Sequence, residues 1–248
     1  MTWSIIAHDP SDGAIGIAVA SRFFACGAMV PYVGAKTAVA SQAFCNPVWG
    51  TEGRDRLQAG EAARDVLADF VKRDAGQAIR QCHMMDAQGD FVAHTGADCT
   101  DWAGHLIGDG FSVAGNMLAG SQVIEATADA LVQSRDLPLP QRLLAAMRAG
   151  EKAGGDKRGK QAAGLVIHHG EAHPWLDLRV DDHGDPLAEL DRLLDVAGER
   201  YLFFADAMPG AQRFSGLPTR EALDARIEAE YDRRLRAGHV SRSLATDP

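Results

Sequence analysis

The second residue of the chain is a threonine, and this position offers chemistry that an internal threonine lacks. Removal of Met1 would leave Thr2 with a free α-amine beside its own hydroxyl. The amine could then act as general base for the side-chain oxygen, because its unperturbed pKa is about 8. Thr2 is therefore a candidate nucleophile. Threonine after methionine is also common without any such role, and a retained Met1 would convert the amine into an amide without useful basicity.

A glycine-rich segment at residues 154–159 supplies a second group of candidates. It contains Asp156 and Arg158 and is followed by Gln161. An arginine beside carboxylates can hold a substrate carboxylate, or it can complete ion pairs inside the protein. We count Arg158 and Gln161 as candidate substrate-binding residues, with loop-fixing salt bridges as the alternative.

Asp181, Asp182 and His183 follow a predicted strand. The two aspartates are candidates for substrate binding. With a histidine from positions 168, 169 or 173, the same residues could hold a divalent cation. Histidines on a hairpin turn are more often simply solvated, so we expect no metal.

Polar residues at predicted strand ends form a third set. Asn116 could donate its amide to an oxyanion, and His94 and Gln42 could contact a substrate. Local turn hydrogen bonding is an equally good explanation for such residues. Cys26 and Cys45 lack a histidine partner by spacing, and we interpret them as inert thiols.

Composition excludes several classes of function. The chain has 248 residues and a formal net charge of −9, which argues against a nucleic-acid groove. Its apolar runs are too short to cross a membrane, and the N-terminal residues show no secretory pattern, so we expect a cytoplasmic protein. Four cysteines without a CxxC pair suit reduced thiols. The glycine motifs lack the context of a dinucleotide site or a P-loop, and no cofactor is expected.

Apolar patterns predict a layered α+β protein, because strands and helices do not alternate singly. Strands are predicted at residues 2–8, 14–20, 32–43, 79–85, 90–95, 112–117, 161–168 and 175–180. Helices are predicted at residues 53–57, 62–71, 121–133, 141–149, 186–197 and 220–236. We expect a core at residues 1–185 and a helical extension at residues 186–248. The apolar stripe of the extension predicts a homodimer.

The opening residues Thr-Trp-Ser-Ile-Ile-Ala, a turn, and Gly-Ile-Ala-Val-Ala-Ser-Arg at residues 16–22 resemble the first hairpin of proteasome-type N-terminal-nucleophile (Ntn) hydrolases. Over residues 2–190 the chain is similar to a bacterial family of unknown function placed in that superfamily. The stretches that carry the resemblance are residues 3–9, 16–24, 42–46, 94–96, 101–104, 115–118, 154–159 with Gln161, and 178–183.

This resemblance implies a four-layer αββα sandwich with two sheets face to face. It also implies a nucleophile at Thr2 and a supporting aspartate at Asp156. The chain departs from the proteasome type in having Ala20 where an acid precedes the Ser-Arg pair, and Gln161 or nothing in place of a supporting serine. Lys36 falls by count where the proteasome type has a lysine.

These observations lead to two hypotheses for function. In the first, an amidohydrolase cleaves a small amide or peptide-like bond. Thr2 attacks, Asp156 holds the amine, Asn116 or the backbone after Gln42 receives the oxyanion, and Arg158 orients a substrate carboxylate. In the second, the same cleft binds a small ligand, or serves assembly, on a disabled Ntn scaffold.

Overall fold

The first two strands, β1 (Thr2–Asp9) and β2 (Ala14–Ser21), form an antiparallel hairpin at the centre of a six-stranded sheet. Almost every residue of both strands is buried. Continuous apolar runs of this kind suit strands that are covered on both faces. In the turn, the Asp9 carboxylate accepts hydrogen bonds from the backbone and hydroxyl of Ser11, and Gly13 adopts a φ of 74°.

The computed structural model describes residues 2–245, and its described part is a mixed α+β protein with two antiparallel sheets. The six-stranded sheet has the order β10-β9-β2-β1-β8-β7, and the four-stranded sheet has the order β3-β4-β5-β6. The remaining strands are β3 (Pro31–Val33), β4 (Ala38–Ala43), β5 (Arg80–Met85), β6 (Phe91–Thr95), β7 (Trp102–Gly108), β8 (Phe111–Leu118), β9 (Ala162–His168) and β10 (Leu176–Val180).

The helices of the first part of the chain are α1 (Cys26–Met29), α2 (Pro47–Gln58), α3 (Ala63–Arg73), α4 (Ser121–Gln133) and α5 (Leu139–Lys152), with a 3₁₀ turn at Gln77–Ile79. Helices α4 and α5 contact the six-stranded sheet, whereas α2 and α3 contact the four-stranded sheet. Most of the expected strands and helices are confirmed with small shifts in their ends. The single strand expected at residues 32–43 is instead two strands, β3 and β4, joined by a turn in which the Gly34 N–H donates to the Thr37 carbonyl oxygen. The helix expected at residues 53–57 begins six residues earlier, because Asn46 caps it and Pro47 takes its first position. Strand β7 and helix α1 were not expected.

Side-chain alternation along the strands shows which face of each sheet meets which layer. Ile6 of β1 packs in one apolar cluster with Ala40 and Met85 of the other sheet. Trp3 has the opposite parity and lies beside Gly150 of α5. On the four-stranded sheet, Val39 packs with α2 and α3 residues. The two sheets therefore face each other, with helices on their outer faces.

Helix α1 reaches the six-stranded sheet through a close approach of two glycines. A Cβ on Gly164 of β9 would lie 2.6 Å from the Cα of Gly27. Because any larger side chain would force the two backbones apart, glycine at this contact seats α1 against β9. This contact matters for the site, since α1 forms part of the cleft described below.

The chain divides into two compact units, residues 1–190 and residues 191–248, so that the division falls inside α6 (Pro186–Glu199). The second unit also contains α7 (Tyr201–Ala207), which was not expected, and α8 (Glu221–Arg236). An ion-pair network joins its helices: the Arg234 guanidinium donates to Asp195 at 3.0 Å and to Glu230 at 2.7 Å. None of the helices described at residues 2–245 combines the length and apolar character needed to span a bilayer.

Leu143 of α5 offers a test of the packing between α5 and the six-stranded sheet, since it is 0% exposed and lies against Gly16 of β2. We expect Leu143→Ala to lower the free energy of unfolding by about 2–5 kcal/mol, because it removes buried methyl groups and leaves a cavity. The matched control is Leu137→Ala, whose side chain is 44% exposed and whose loss should change stability by less than about 0.5 kcal/mol. Urea unfolding of both variants measures the difference, and equal losses would contradict this packing.

Candidate functional site

A cleft with a volume of about 290 Å³ opens beside the first residue of β1. The residues that line it come from β1, the segment after β2, α1 and the end of β4. They are Thr2, Phe23, Cys26, Met29, Val30, Gln42, Ala43, Phe44 and Cys45. The structure thus brings two of the predicted site residues, Thr2 and Gln42, to one cavity.

The Thr2 side chain belongs to the wall of this cleft and is held by its strand neighbours. Thr2 pairs with Ser21 of β2 on one side and with Asn116 of β8 on the other. Its Oγ1 lies 3.1 Å from the Ser21 Oγ, and either hydroxyl can be the donor. The residue is 7% exposed. The hydroxyl is therefore positioned by hydrogen bonding and lies at the edge of a space that a small ligand could occupy.

Asn116, on the neighbouring strand β8, holds the backbone of Thr2 by a hydrogen bond. Its Nδ2 donates to the Thr2 carbonyl oxygen at 3.3 Å and to Gln81 Oε1 at 3.0 Å. These two bonds use both amide protons. In this arrangement Asn116 fixes the backbone of Thr2, and it would have to break one of these bonds before it could donate to an oxyanion.

Gln42 is held in the same way. Its Nε2 donates to Gln81 Oε1 at 2.8 Å and to the Ala114 carbonyl oxygen at 3.1 Å. The bond to a backbone carbonyl settles the orientation of the amide, so Gln42 Oε1 accepts from the Ser4 hydroxyl at 2.7 Å. In the backbone that follows, Ala43 has a φ of 65°, and the Phe44 N–H donates to the Ile79 carbonyl.

His83 completes a buried polar network between the two sheets. Its Nε2 lies 2.8 Å from Ser4 Oγ, and its Nδ1 lies 2.7 Å from Ser112 Oγ. Because the Ser4 proton goes to Gln42, the imidazole Nε2–H must donate to Ser4, and Nδ1 accepts from Ser112. Burial, with a smaller contribution from His105, lowers the pKa of His83 to about 3. This histidine is neutral at neutral pH and stabilises the interface between the sheets.

Asp156 lies next to the end of β2, where Ser21 pairs with Thr2. Its carboxylate accepts from the backbone N–H of Arg22 at 2.8 Å and of Arg158 at 2.7 Å, and from Arg158 Nη2 at 3.3 Å. The side chain is almost completely buried. Asp156 thus fixes the chain directly after Ser21, where the segment leading into the cleft begins. Neither Asp156 nor Arg158 lines the cavity itself.

The remaining predicted residues lie around this arrangement or away from it. Gln161 donates its backbone N–H to Ser21 O at 3.0 Å and its side-chain amide to Asp182 at 3.0 Å. The Asp181 carbonyl accepts from Ala25 N at 3.1 Å. His94 lies elsewhere, on β6, where its Nε2 donates to the Gln77 carbonyl oxygen at 3.0 Å.

Lys36 falls by residue count where the proteasome type has a lysine, but the structure does not place it at the Thr2 cleft. It lines a different cavity, of about 270 Å³, together with His8, Asp12 and Asp86. His8 lies near the last residue of β1, whereas Thr2 is its first. Lys36 therefore lies toward the opposite end of the hairpin and does not serve Thr2.

Sequence reasoning missed the aromatic residues of the cleft. Phe23 is 61% exposed and Phe44 is 69% exposed. Each follows a buried strand, β2 or β4, by one or two residues. No spacing rule marks such residues, although two consecutive phenylalanines directly after an apolar strand are an unusual feature of the sequence.

Within the described residues, one group of three side chains could hold a metal ion: Asp195, Glu199 and His239, whose ligand atoms lie within 4.8 Å of one another. Arg234 already occupies this place, with its Nη1 3.0 Å from Asp195 Oδ1 and 2.9 Å from His239 Nε2. Two of the residues weighed as a cation site, Asp182 and His183, make hydrogen bonds within the protein. Asp182 accepts from Gln161, and the His183 Nδ1 accepts from the Asp185 N–H.

Fold and site together define an α+β protein whose two antiparallel sheets face each other, with a cleft beside the first residue of the central hairpin. The chain belongs to the family of unknown function DUF1028, whose model matches residues 2–190. Among solved structures, it is similar to a protein of the same family from Silicibacter pomeroyi. The two chains are 34% identical, with a TM-score of 0.80 over 87% of this chain and 95% of the other. No protein of curated function is significantly similar in sequence.

His83 should contribute to the pH dependence of stability. Its pKa in the folded protein is about 3, against an ordinary value of 6.5, so below pH 6.5 the unfolded chain binds a proton that the folded chain does not. This contribution to stability is complete above pH 6.5 and is lost as the pH falls toward 3. The expected slope is up to about 1.4 kcal/mol per pH unit.

We expect His83→Gln to be less stable than the wild type at neutral pH and to lack this part of the slope. Urea unfolding between pH 4.5 and 7 measures both quantities. The matched control is His169→Gln, at an exposed position. Equal changes of slope in the two variants would contradict the assignment to His83.

Proposed function

We propose that the protein is an Ntn-type amidohydrolase that cleaves a small amide or peptide-like bond through Thr2 after removal of Met1. The observation that carries this proposal is the place of the Thr2 hydroxyl. It lies at the first residue of the central strand, hydrogen-bonded to Ser21, and it lines a cleft of suitable size for a small substrate. Met1 itself lies outside the described residues, so its removal is part of the proposal.

The architecture agrees with this function. Two facing antiparallel sheets with helices on their outer faces are the arrangement expected of the four-layer αββα sandwich. In that fold the nucleophile is the first residue of a central strand, which is where Thr2 lies in β1. We include this fold assignment in the proposal.

The proposed reaction is acyl transfer in two steps. The α-amine of Thr2 takes the proton from Oγ1 while the oxygen attacks the amide carbonyl. The C–N bond then breaks, the departing amine receives the proton, and an ester on Oγ1 remains. Water, deprotonated by the same amine, attacks the ester carbonyl. The bond to Oγ1 then breaks, the amine returns the proton to Oγ1, and the acid is released. Ser21 orients the hydroxyl, and Asn116 and Asp156 hold the backbone on either side of it.

A second candidate function is binding of a small ligand without turnover. The observation that favours it is the absence of acidic and basic side chains other than thiols among the described residues that line the cleft. In this case Thr2 and Gln42 would provide polar contacts only.

Four free cysteines, two of them fully buried, suit a reducing compartment, and we propose a cytoplasmic location for either function.

We also propose that the protein is a homodimer. The unit at residues 191–248 exposes several large apolar side chains, including Phe214, Tyr231 and Leu235. A second copy of the chain would cover such a surface. Sedimentation equilibrium at micromolar concentration should give twice the monomer mass, and a monomeric mass would contradict the proposal.

Replacement of Thr2 tests the nucleophile. The reference is the trimmed wild type, which is the wild-type chain after removal of Met1. On a small amide that it hydrolyses, we expect Thr2→Ala to reduce the rate by at least about a thousandfold, because it removes the attacking oxygen. Thr2→Ser should keep measurable activity, since it retains a hydroxyl beside the α-amine. The matched control is Thr51→Ala, at an exposed position of α2, which should leave the rate unchanged. Undiminished hydrolysis by Thr2→Ala would exclude the proposed mechanism.

The state of the N-terminus tests the general base. Insertion of a leucine between Met1 and Thr2 makes the Thr2 nitrogen an amide, and we expect this variant to be as inactive as Thr2→Ala. Intact mass spectrometry verifies which form each preparation contains. Full activity in chains that keep residues before Thr2 would show that the α-amine is not the base.

A further inference from the structure

The cleft beside Thr2 has an uncharged lining. Its nine lining residues provide one hydroxyl, from Thr2, one amide, from Gln42, and two thiols. Burial raises the pKa of Cys26 to about 12 and also raises that of Cys45. Both thiols are therefore neutral at neutral pH, and the other five side chains are apolar.

Of the charged side chains near the cleft, Arg80 and Arg158 are already paired, and the Asp181 carboxylate, which also raises the pKa of Cys26, would repel an anion. Arg80 lies over the Phe44 ring, with its guanidinium carbon 5.1 Å from the ring centre, and its Nε donates to Asp74 at 3.1 Å. Arg158 is bound to Asp156. A carboxylate of a ligand in the cleft would thus lose hydration without gaining a counterion from the lining residues, which is costly.

The edge of the cleft carries exposed aromatic surface. Phe23 and Phe44 are each more than 60% exposed, and Met29 is 43% exposed. Clustered apolar residues on a surface indicate a binding site. Ala43 reinforces this reading, because it holds a φ of 65°, in the left-handed region that a non-glycine residue seldom adopts. Such strain is often retained at functional sites.

We infer that the cleft selects a neutral amide with a small apolar substituent, and that Phe23 and Phe44 determine this specificity. The inference rests on the proposed function for turnover but concerns binding, which can be measured without it. A volume of about 290 Å³ lies at the lower limit of ligand pockets, so the substituent is short. This substrate class replaces the carboxylated substrate that the sequence suggested for Arg158.

The test is a binding comparison on the Thr2→Ala variant, which cannot turn the probes over. Two probes differ mainly in charge: hexanamide, which is neutral, and the monoamide of adipic acid, which carries a carboxylate at the far end. We expect hexanamide to bind at least about tenfold more tightly in an NMR titration. Phe23→Ala and Phe44→Ala, each made in that background, should weaken hexanamide binding about fivefold or more.

Phe24→Ala is the matched control. Phe24 neighbours Phe23 and is equally exposed, at 60% against 61%, but it does not line the cleft. It should leave the affinity unchanged. All three phenylalanines are exposed, so the variants should fold, and a thermal unfolding curve verifies this.

The outcomes separate this inference from the proposed function. If the charged probe binds as tightly as hexanamide, if neither probe binds, or if Phe24→Ala weakens binding as much as Phe23→Ala, the inference is overturned. If hexanamide binds as expected but the trimmed wild type hydrolyses no amide, the hydrolase proposal fails and the specificity of the cleft stands. If the wild type hydrolyses charged amides preferentially, the hydrolase proposal stands and the specificity is wrong.

Discussion

The interaction on which the rest of the structure depends is the buried polar network between the two sheets. Gln81 is its centre, because its Oε1 accepts from both Gln42 and Asn116 and its Nε2 donates to backbone carbonyls of β7 and β8. A buried polar group without a partner costs about 1–3 kcal/mol. The network is satisfied only when β1, β4, β5 and β8 have their observed registers. It therefore specifies how the sheets lie on each other as well as holding them together.

The candidate site follows from this constraint. Asn116 holds the Thr2 backbone and Gln42 lines the cleft, and both amides are anchored on the same Gln81 oxygen. The polar atoms that a catalytic site might use are thus mostly committed to positioning. What is left facing the cleft is a threonine hydroxyl, two thiols and apolar surface. This division is the reason why we propose a nucleophile that brings its own base, or a ligand recognised by shape, instead of a site built on several charged groups.

Much of the fold could be predicted from the sequence. The hairpin at β1 and β2, the strands β5, β6, β8, β9 and β10, and the helices α2 to α6 and α8 follow apolar runs and periodicities that are local properties. Strand β7 was missed because it lies at the edge of its sheet, half exposed, with glycines at 104 and 108 that resemble a loop. Helix α1 was missed because it has four residues, and its place depends on a contact between glycines of distant segments.

For the site, the sequence by itself determined Thr2 as a candidate, because Thr2 directly follows Met1. It also marked Asp156 in a glycine-rich segment, and Asn116 and Gln42 as polar residues near strand ends. Only the tertiary structure decided what these residues do. It directed the Asn116 and Gln42 amides to Gln81, bound Arg158 to Asp156, and left Phe23 and Phe44 at the cleft. The reason is that the hydrogen bonds of the network between the sheets join residues 23 to 79 positions apart. A cleft is defined by the space between such segments, which no local pattern records.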